Sequence, residues 1–195
     1  MEDRKKTIGR WKLLAILLVC ASPIIISYLT YYVIKPEGRT NYGSLIDPRA
    51  YPLPVLETRT LDGQPVTLDA YKGKWVMLLV AGGDCLASCE RKLHAMRQLR
   101  LSQGKEMSRI ERVWLITDDH PIDTILIREF DGTHMLRTRT ELVEAWLPVE
   151  QGTTVSDHLY MIDPLGNLMM RFPKDADPNK IKKDLNKLLK ASSIG

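Results

Sequence analysis

The sequence predicts an α/β domain carried behind one N-terminal membrane-spanning helix, and three observations carry that reading. Leu13 to Ile34 contains no charged residue and follows a short basic head. Trp75 to Ala81 is a continuous apolar run bounded by Gly73 and by Gly82-Gly83, as expected of a strand covered on both faces. Two short apolar runs flank Asp163-Pro164-Leu165-Gly166-Asn167, a turn-rich loop that closes an antiparallel hairpin.

The N-terminal run is 22 residues long, and about 20 apolar helical residues cross a hydrocarbon core of roughly 30 Å. Pro23 kinks such a helix without forbidding insertion. Arg4, Lys5, Lys6, Arg10 and Lys12 outweigh Glu2 and Asp3 in the head, which places the N-terminus in the cytoplasm and everything after the helix outside. Trp11 at one end and Tyr28, Tyr31 and Tyr32 at the other suit the two interfaces. A cleaved secretory signal competes with this reading, but its apolar region is usually about 7–15 residues and ends in a small-x-small site. Neither feature is present, and Val19 ahead of Cys20 is a poor lipoprotein signal. The expected organisation is a head at 1–12, a spanning helix at 13–34, a Pro- and Gly-rich linker at 35–54 and a folded domain at 55–191.

The chain carries a net charge of +4, of which the head supplies +3 from five cations and two acids, so residues 35–195 are near +1. That balance excludes electrostatic nucleic-acid binding by the folded domain and makes the basic pI a topology signal.

Within the domain, Val55-Leu56 and Val66 to Leu68 flank Asp62-Gly63, a dipeptide that favours hairpin turns. After the Trp75–Ala81 strand, Leu86, Leu93 and Met96 set a helical period. Arg112 to Thr117 reads as a second buried strand, and helices follow over Pro121–Phe130 and Thr138–Trp146. Strands are expected over His158–Ile162 and Leu168–Phe172. The last helix has Asp177 as N-cap, Pro178 in its first turn, and Ile181, Leu185, Leu188 and Leu189 on one face. Strand, helix, strand, helix, hairpin, helix is the element order of a thioredoxin-like domain.

The candidate site is the segment "GGDCLASCERKL" at residues 82–93. On a helix, Cys85 and Cys89 share a face, since four residues turn through about 400°. Amides of a first helical turn also favour the thiolate. Three readings stay open: a structural disulfide, a redox couple, or two ligands of a metal. A disulfide closing so short a loop adds little stability, which favours chemistry over stapling. For a metal, His94 points about 140° away from Cys89 on the same helix. His120 and His134 fall in predicted loops, whereas His158 opens the terminal hairpin, which passes near the active-site helix in this fold. Two thiolates and an imidazole suit copper(I) better than a structural zinc, which usually takes four protein ligands. Met77, Met96, Met135 and Met161 are read as core.

Cys85, Cys89 and His158 together make the sequence resemble the SCO/SenC family of cytochrome c oxidase assembly factors over roughly residues 53–190. The match consists of a C-x3-C motif, a distal histidine in "SDHLYMIDPLGNL", and Asp119 and Asp123 in "TDDHPID" as an acidic stretch. The resemblance implies a bacterial inner-membrane protein with a periplasmic thioredoxin-like domain. It further implies copper(I) held by Cys85, Cys89 and His158, and as partner the copper-centre subunit of cytochrome c oxidase or another cuproprotein. The alternatives are a thiol-disulfide reductase using Cys85 as attacking and Cys89 as resolving thiol, and a noncatalytic scaffold. Leu86 and Glu90 stand where the family usually has prolines, Cys89 and His158 lie closer in sequence than is usual there, and no proline in "TTVSDH" matches the cis-proline of thioredoxins.

Overall fold

The computed structural model describes residues 2–34, 41–192 and 194. Two compact units result, Met1–Thr40 and Asn41–Gly195. In the first, α1 (Glu2–Leu29) continues as a π-helical turn over Thr30–Ile34, and Trp11–Val33 is long and apolar enough to cross a membrane.

The second unit is built on a seven-stranded sheet. Its strands are β1 (Ser44–Leu45), β2 (Arg59–Thr60), β3 (Trp75–Ala81), β4 (Ile110–Ile116), β5 (Thr133–Arg137), β6 (Leu159–Ile162) and β7 (Leu168–Arg171), in the spatial order β1-β7-β6-β3-β4-β5-β2. β3, β4 and β5 are parallel neighbours, while β6 and β7 add antiparallel to β3. The helices are α2 (Ala87–Leu101), α3 (Thr124–Glu129), α4 (Thr140–Trp146) and α5 (Pro178–Ala191). This is the thioredoxin-like architecture that the sequence predicts.

Every residue of β3 is buried, and strict alternation sends its side chains to two separate cores. Met77, Leu79 and Ala81 meet Leu93, Met96 and Leu99 of α2 and Ile181, Leu185 and Leu189 of α5. Val76, Leu78 and Val80 meet Val143 and Trp146 of α4. α5 starts as expected: the Asp177 carboxylate accepts the Asn179 amide, and Pro178 fills the first turn. At its other end the Arg109 guanidinium donates to the carbonyls of Leu189 in the last turn, of the C-cap Ser192 and of Ile194 beyond it.

Several elements differ from expectation. The front hairpin is shorter, because β2 is only two residues long and pairs with β5; the turn survives in the Thr60 amide donating to the Gln64 carbonyl. β5 was not foreseen, since Thr133–Arg137 alternates weakly and has no long apolar run. Ser44–Leu45 lies in the Pro- and Gly-rich stretch yet joins the sheet beside β7. That segment is held by Asp184, a buried carboxylate that accepts the amides of Tyr42 and Gly43 at 2.7 and 2.9 Å. Residues 35–40 of the expected linker lie outside the described residues.

The two leucines that set the expected period of α2 separate in the structure. Leu93 is 1% exposed, whereas Leu86 is the N-cap and 71% exposed. Leu93→Ala is expected to lower unfolding free energy by about 2–5 kcal/mol, and Leu86→Ala by within about 0.5 kcal/mol. Denaturant titration of the two variants in detergent checks this; equal losses would contradict the packing.

Candidate functional site

Cys85 and Cys89 are joined in a disulfide with their Cα atoms 5.1 Å apart. The pair is not seated on one helix face, because α2 begins only at Ala87. Cys85 lies before it with φ +37, a left-handed conformation that non-glycine residues seldom adopt. Its amide donates to the Gly82 carbonyl, and the resulting turn brings it to Cys89 in the first turn of α2. Both cysteines are buried, Cys85 at 2% and Cys89 at 6% exposure, so Cys85 is not the more exposed of the two in the oxidised state. Exposed Asp84, Leu86, Ser88 and Glu90 surround them.

The loop carrying Cys85 is buttressed from β4. The Asp118 carboxylate accepts the Gly83 amide at 2.8 Å and the His120 amide at 3.1 Å, and lies 3.2 Å from His120 Nδ1. Burial alone would raise the Asp118 pKa, but the Gly83 amide and the His120 contacts outweigh it and hold the carboxyl below its usual range. A Cβ at Gly82 would strike this carboxylate, and one at Gly83 the His120 carbonyl. Two consecutive glycines are therefore required by close approach. Arg137, at the end of β5, donates to the carbonyls of Asp118 and His120 and fixes the buttress in turn. Sequence reasoning singled out Asp119 and Asp123 and missed Asp118 and Arg137. The available signal was Gly82-Gly83 directly before the first cysteine. Asp119 is exposed, and Asp123 caps α3 by accepting the Ile125 amide.

His158, directly ahead of β6, is fully buried. Leu159 next to it belongs to the core that holds the cysteines, Tyr160 to the opposite one, and the His158 ring meets the Tyr160 ring edge-on at 6.0 Å. Nδ1 lies 2.9 Å from the Phe172 carbonyl and Nε2 2.7 Å from the Thr153 hydroxyl. A carbonyl only accepts, so Nδ1 carries the proton in the neutral ring. The Thr153 hydroxyl, which has one proton, lies 2.7 Å from both Nε2 and the Glu150 carbonyl. The structure joins Cys85 to Cys89, while both ring nitrogens of His158 face Thr153 and Phe172.

The other histidines have separate roles. His94 lines an open groove of about 760 Å³ between α2 and α3, rimmed by Asp84, Glu90, Asp123 and Glu129. His120 pairs with Asp118, and His134 pairs with Glu111 at 3.1 Å. Met77, Met96, Met135 and Met161 are all buried in the core on the cysteine side. Among the described residues, no group of three or more His, Cys, Asp or Glu side chains is arranged to hold a metal ion.

The family model for the transmembrane-like, thioredoxin-like, C-terminal domain matches residues 75–192, and that for the transmembrane-like N-terminal domain matches residues 2–33. No curated protein matches the sequence. Structural neighbours include members of the SCO/SenC group. Copper-bound yeast Sco1 is 15% identical with a TM-score of 0.53, over 78% of this chain and 90% of that one. A SCO1/SenC family lipoprotein from Bacillus anthracis is 20% identical with a TM-score of 0.52, over 72% and 98%. A thiol:disulfide interchange protein from Bacteroides sp. is 17% identical with a TM-score of 0.53, over 77% and 91%. At such identities the likeness is one of fold.

Burial penalises the charged form of the His158 ring and the Arg171 charge adds to this. Together they outweigh the Phe172 carbonyl, so its pKa lies below the ordinary imidazole value. On acidification the unfolded chain takes up this proton first. Stability is therefore expected to decline as pH falls from about 6.5 towards the lower folded value, and then to level off. Urea midpoints at pH 7.5 and 5.5 should differ more in the native protein than in His158→Gln; equal slopes would show that this ring does not titrate as described.

Proposed function

Because the chain belongs to the transmembrane-like, thioredoxin-like, C-terminal domain family, we propose that it is a membrane-anchored thiol–disulfide protein. Its domain would lie on the outer side of a bacterial inner membrane, and its Cys85–Cys89 pair would exchange with a partner's disulfide. The observation that carries this reading is the Cys85–Cys89 disulfide at the junction between β3 and α2, on a loop held rigid by Asp118.

In the reduced form, the amides opening α2 favour a thiolate, while Asp84 and Glu90 beside the cysteines oppose it. The Cys85 thiolate attacks one sulfur of the partner disulfide, and the other partner sulfur leaves as a thiolate. Cys89 then attacks Cys85 in the mixed disulfide, restoring the Cys85–Cys89 bond and freeing the second partner sulfur. Two electrons pass to the partner, and a dithiol donor resets the pair. A cuproprotein whose copper-ligating cysteines must be reduced before loading is a partner of the right chemistry.

Copper(I) delivery to a cytochrome c oxidase copper centre is the second reading, favoured by the fold likeness to copper-bound yeast Sco1. Copper is here cargo, and once the disulfide is reduced Cys85 and Cys89 supply two adjacent soft donors that suit it. A three-ligand site with His158 would require its ring to leave Thr153 and Phe172. The burial of His158 supports a two-thiolate form.

Equilibration in glutathione buffers followed by thiol alkylation should show both cysteines reduced together in one two-electron step, with turnover of a model disulfide lost in Cys85→Ser and Cys89→Ser. A pair that dithiothreitol reduces only after denaturation would leave a structural disulfide and end the exchange reading. In anaerobic competition with a chelator, the reduced protein is expected to hold one copper(I) that either cysteine variant loses and His158→Asn retains. Weakening by His158→Asn equal to that of the cysteine variants would establish the three-ligand site instead.

A further inference from the structure

At the opposite end of α2 from the cysteines lies a cluster of three arginines with no carboxylate in contact among the described residues. Arg112, on β4, is 5% exposed and faces the same side of the sheet as α2. Its Nη2 donates to the Asp131 carbonyl at 2.7 Å, but its Nε and Nη1 are buried with no partner. Arg97 and Arg100, half-buried on α2, each place one donor on a backbone carbonyl: Arg97 Nη1 on Glu129 at 3.0 Å, and Arg100 Nε on Ile110 at 2.8 Å. Among the described residues, none of the three has a carboxylate within 4.0 Å. The nearby acids are engaged elsewhere, Glu111 with His134 and the Asp131 carboxylate with the Gly132 amide.

Two deficits therefore coincide. Buried guanidinium N–H groups need acceptors, and three guanidinium groups in mutual range need negative charge. Burial, reinforced by the Arg100 and Arg97 charges, depresses the Arg112 pKa, and the Glu111 and Asp131 charges offset this only in part. Water would satisfy the N–H groups and leave the repulsion. An oxyanion with several acceptor oxygens satisfies both, and planar guanidinium groups match its geometry. The Asp131–Gly132 turn supports the arrangement: Gly132 has φ +75, and a Cβ there would lie 3.1 Å from Arg112 Nη2.

We propose that Arg97, Arg100 and Arg112 form a binding site for a phosphate-type oxyanion, supplied as free phosphate or as the headgroup of an anionic phospholipid. Arg112 is the floor of the site, and Arg97 and Arg100 are its solvent-facing arms. The site is independent of the cysteine chemistry.

Thermal unfolding of the full chain in a non-ionic detergent tests this, with inorganic phosphate compared against chloride at equal ionic strength. Phosphate is expected to raise the melting temperature saturably, as a ligand of the folded state does, and chloride is not. The double variant Arg97→Gln/Arg100→Gln should keep its fold and shift half-saturation upward by about tenfold or more, as loss of charge-assisted hydrogen bonds implies. Arg112→Met should lose the saturable response and melt no lower than the native protein without phosphate, since an uncompensated buried charge has been removed. Equal responses to phosphate and chloride, or a phosphate response unchanged in the variants, would overturn the proposal. A water-soluble short-chain phosphatidylglycerol that saturates below the phosphate concentration assigns the site to lipid headgroups, and the reverse order assigns it to the free ion.

Discussion

The hydrogen bond from the Gly83 amide to the Asp118 carboxylate ties the end of β3 to the end of β4 at the point where the chain leaves the sheet to form the cysteine loop. Everything distinctive about the site follows from that tie. It requires glycine at 82 and 83, because a side chain at either position would meet Asp118 or His120. It recruits Arg137, whose guanidinium holds the carbonyls on both sides of Asp119. The loop then has only two residues, Asp84 and Cys85, in which to turn into the N-cap of α2, and the left-handed φ of Cys85 is how it does so. Rigid support from a parallel sheet on one side and a helix start on the other is the general recipe for a preorganised thiol pair.

The second constraint is the sheet itself. Because β3 and β6 are buried on both faces, each residue must commit to one core or the other. His158 and Leu159 are neighbours in sequence, yet only Leu159 shares a core with Cys85 and Cys89. Residue type and proximity in the chain make His158 an attractive ligand, and the fold turns its ring towards Thr153 and Tyr160. Both ring nitrogens then close the hydrogen-bonding needs of the fold.

Charge is distributed along α2 in a comparable way. Its first turn carries Glu90 beside the disulfide, while its last turns carry Arg97 and Arg100 over the buried Arg112. Acid near the start and base near the end is the arrangement favoured by the helix dipole. The arginines exceed what the dipole uses, since no carboxylate of the described residues is in contact with them.

Elements with a strong local pattern were legible in the sequence alone. The apolar run of α1, the unbroken hydrophobicity of β3, the Asp177-Pro178 start of α5 and the turn at Asp163–Asn167 each follow from side-chain chemistry within a few residues. The cysteine spacing likewise identified the pair that the structure joins. What tertiary structure alone decided depends on partners distant in sequence. β5 and the two-residue strands β1 and β2 exist because a neighbour offers hydrogen bonds, and Asp118, Asp184 and Arg112 acquire their roles from groups that only folding brings near. The surroundings of His158 likewise come from folding: its ring nitrogens face Phe172, across the hairpin, and Thr153, and β6 itself is placed by pairing with β3, whose residues lie far away in sequence.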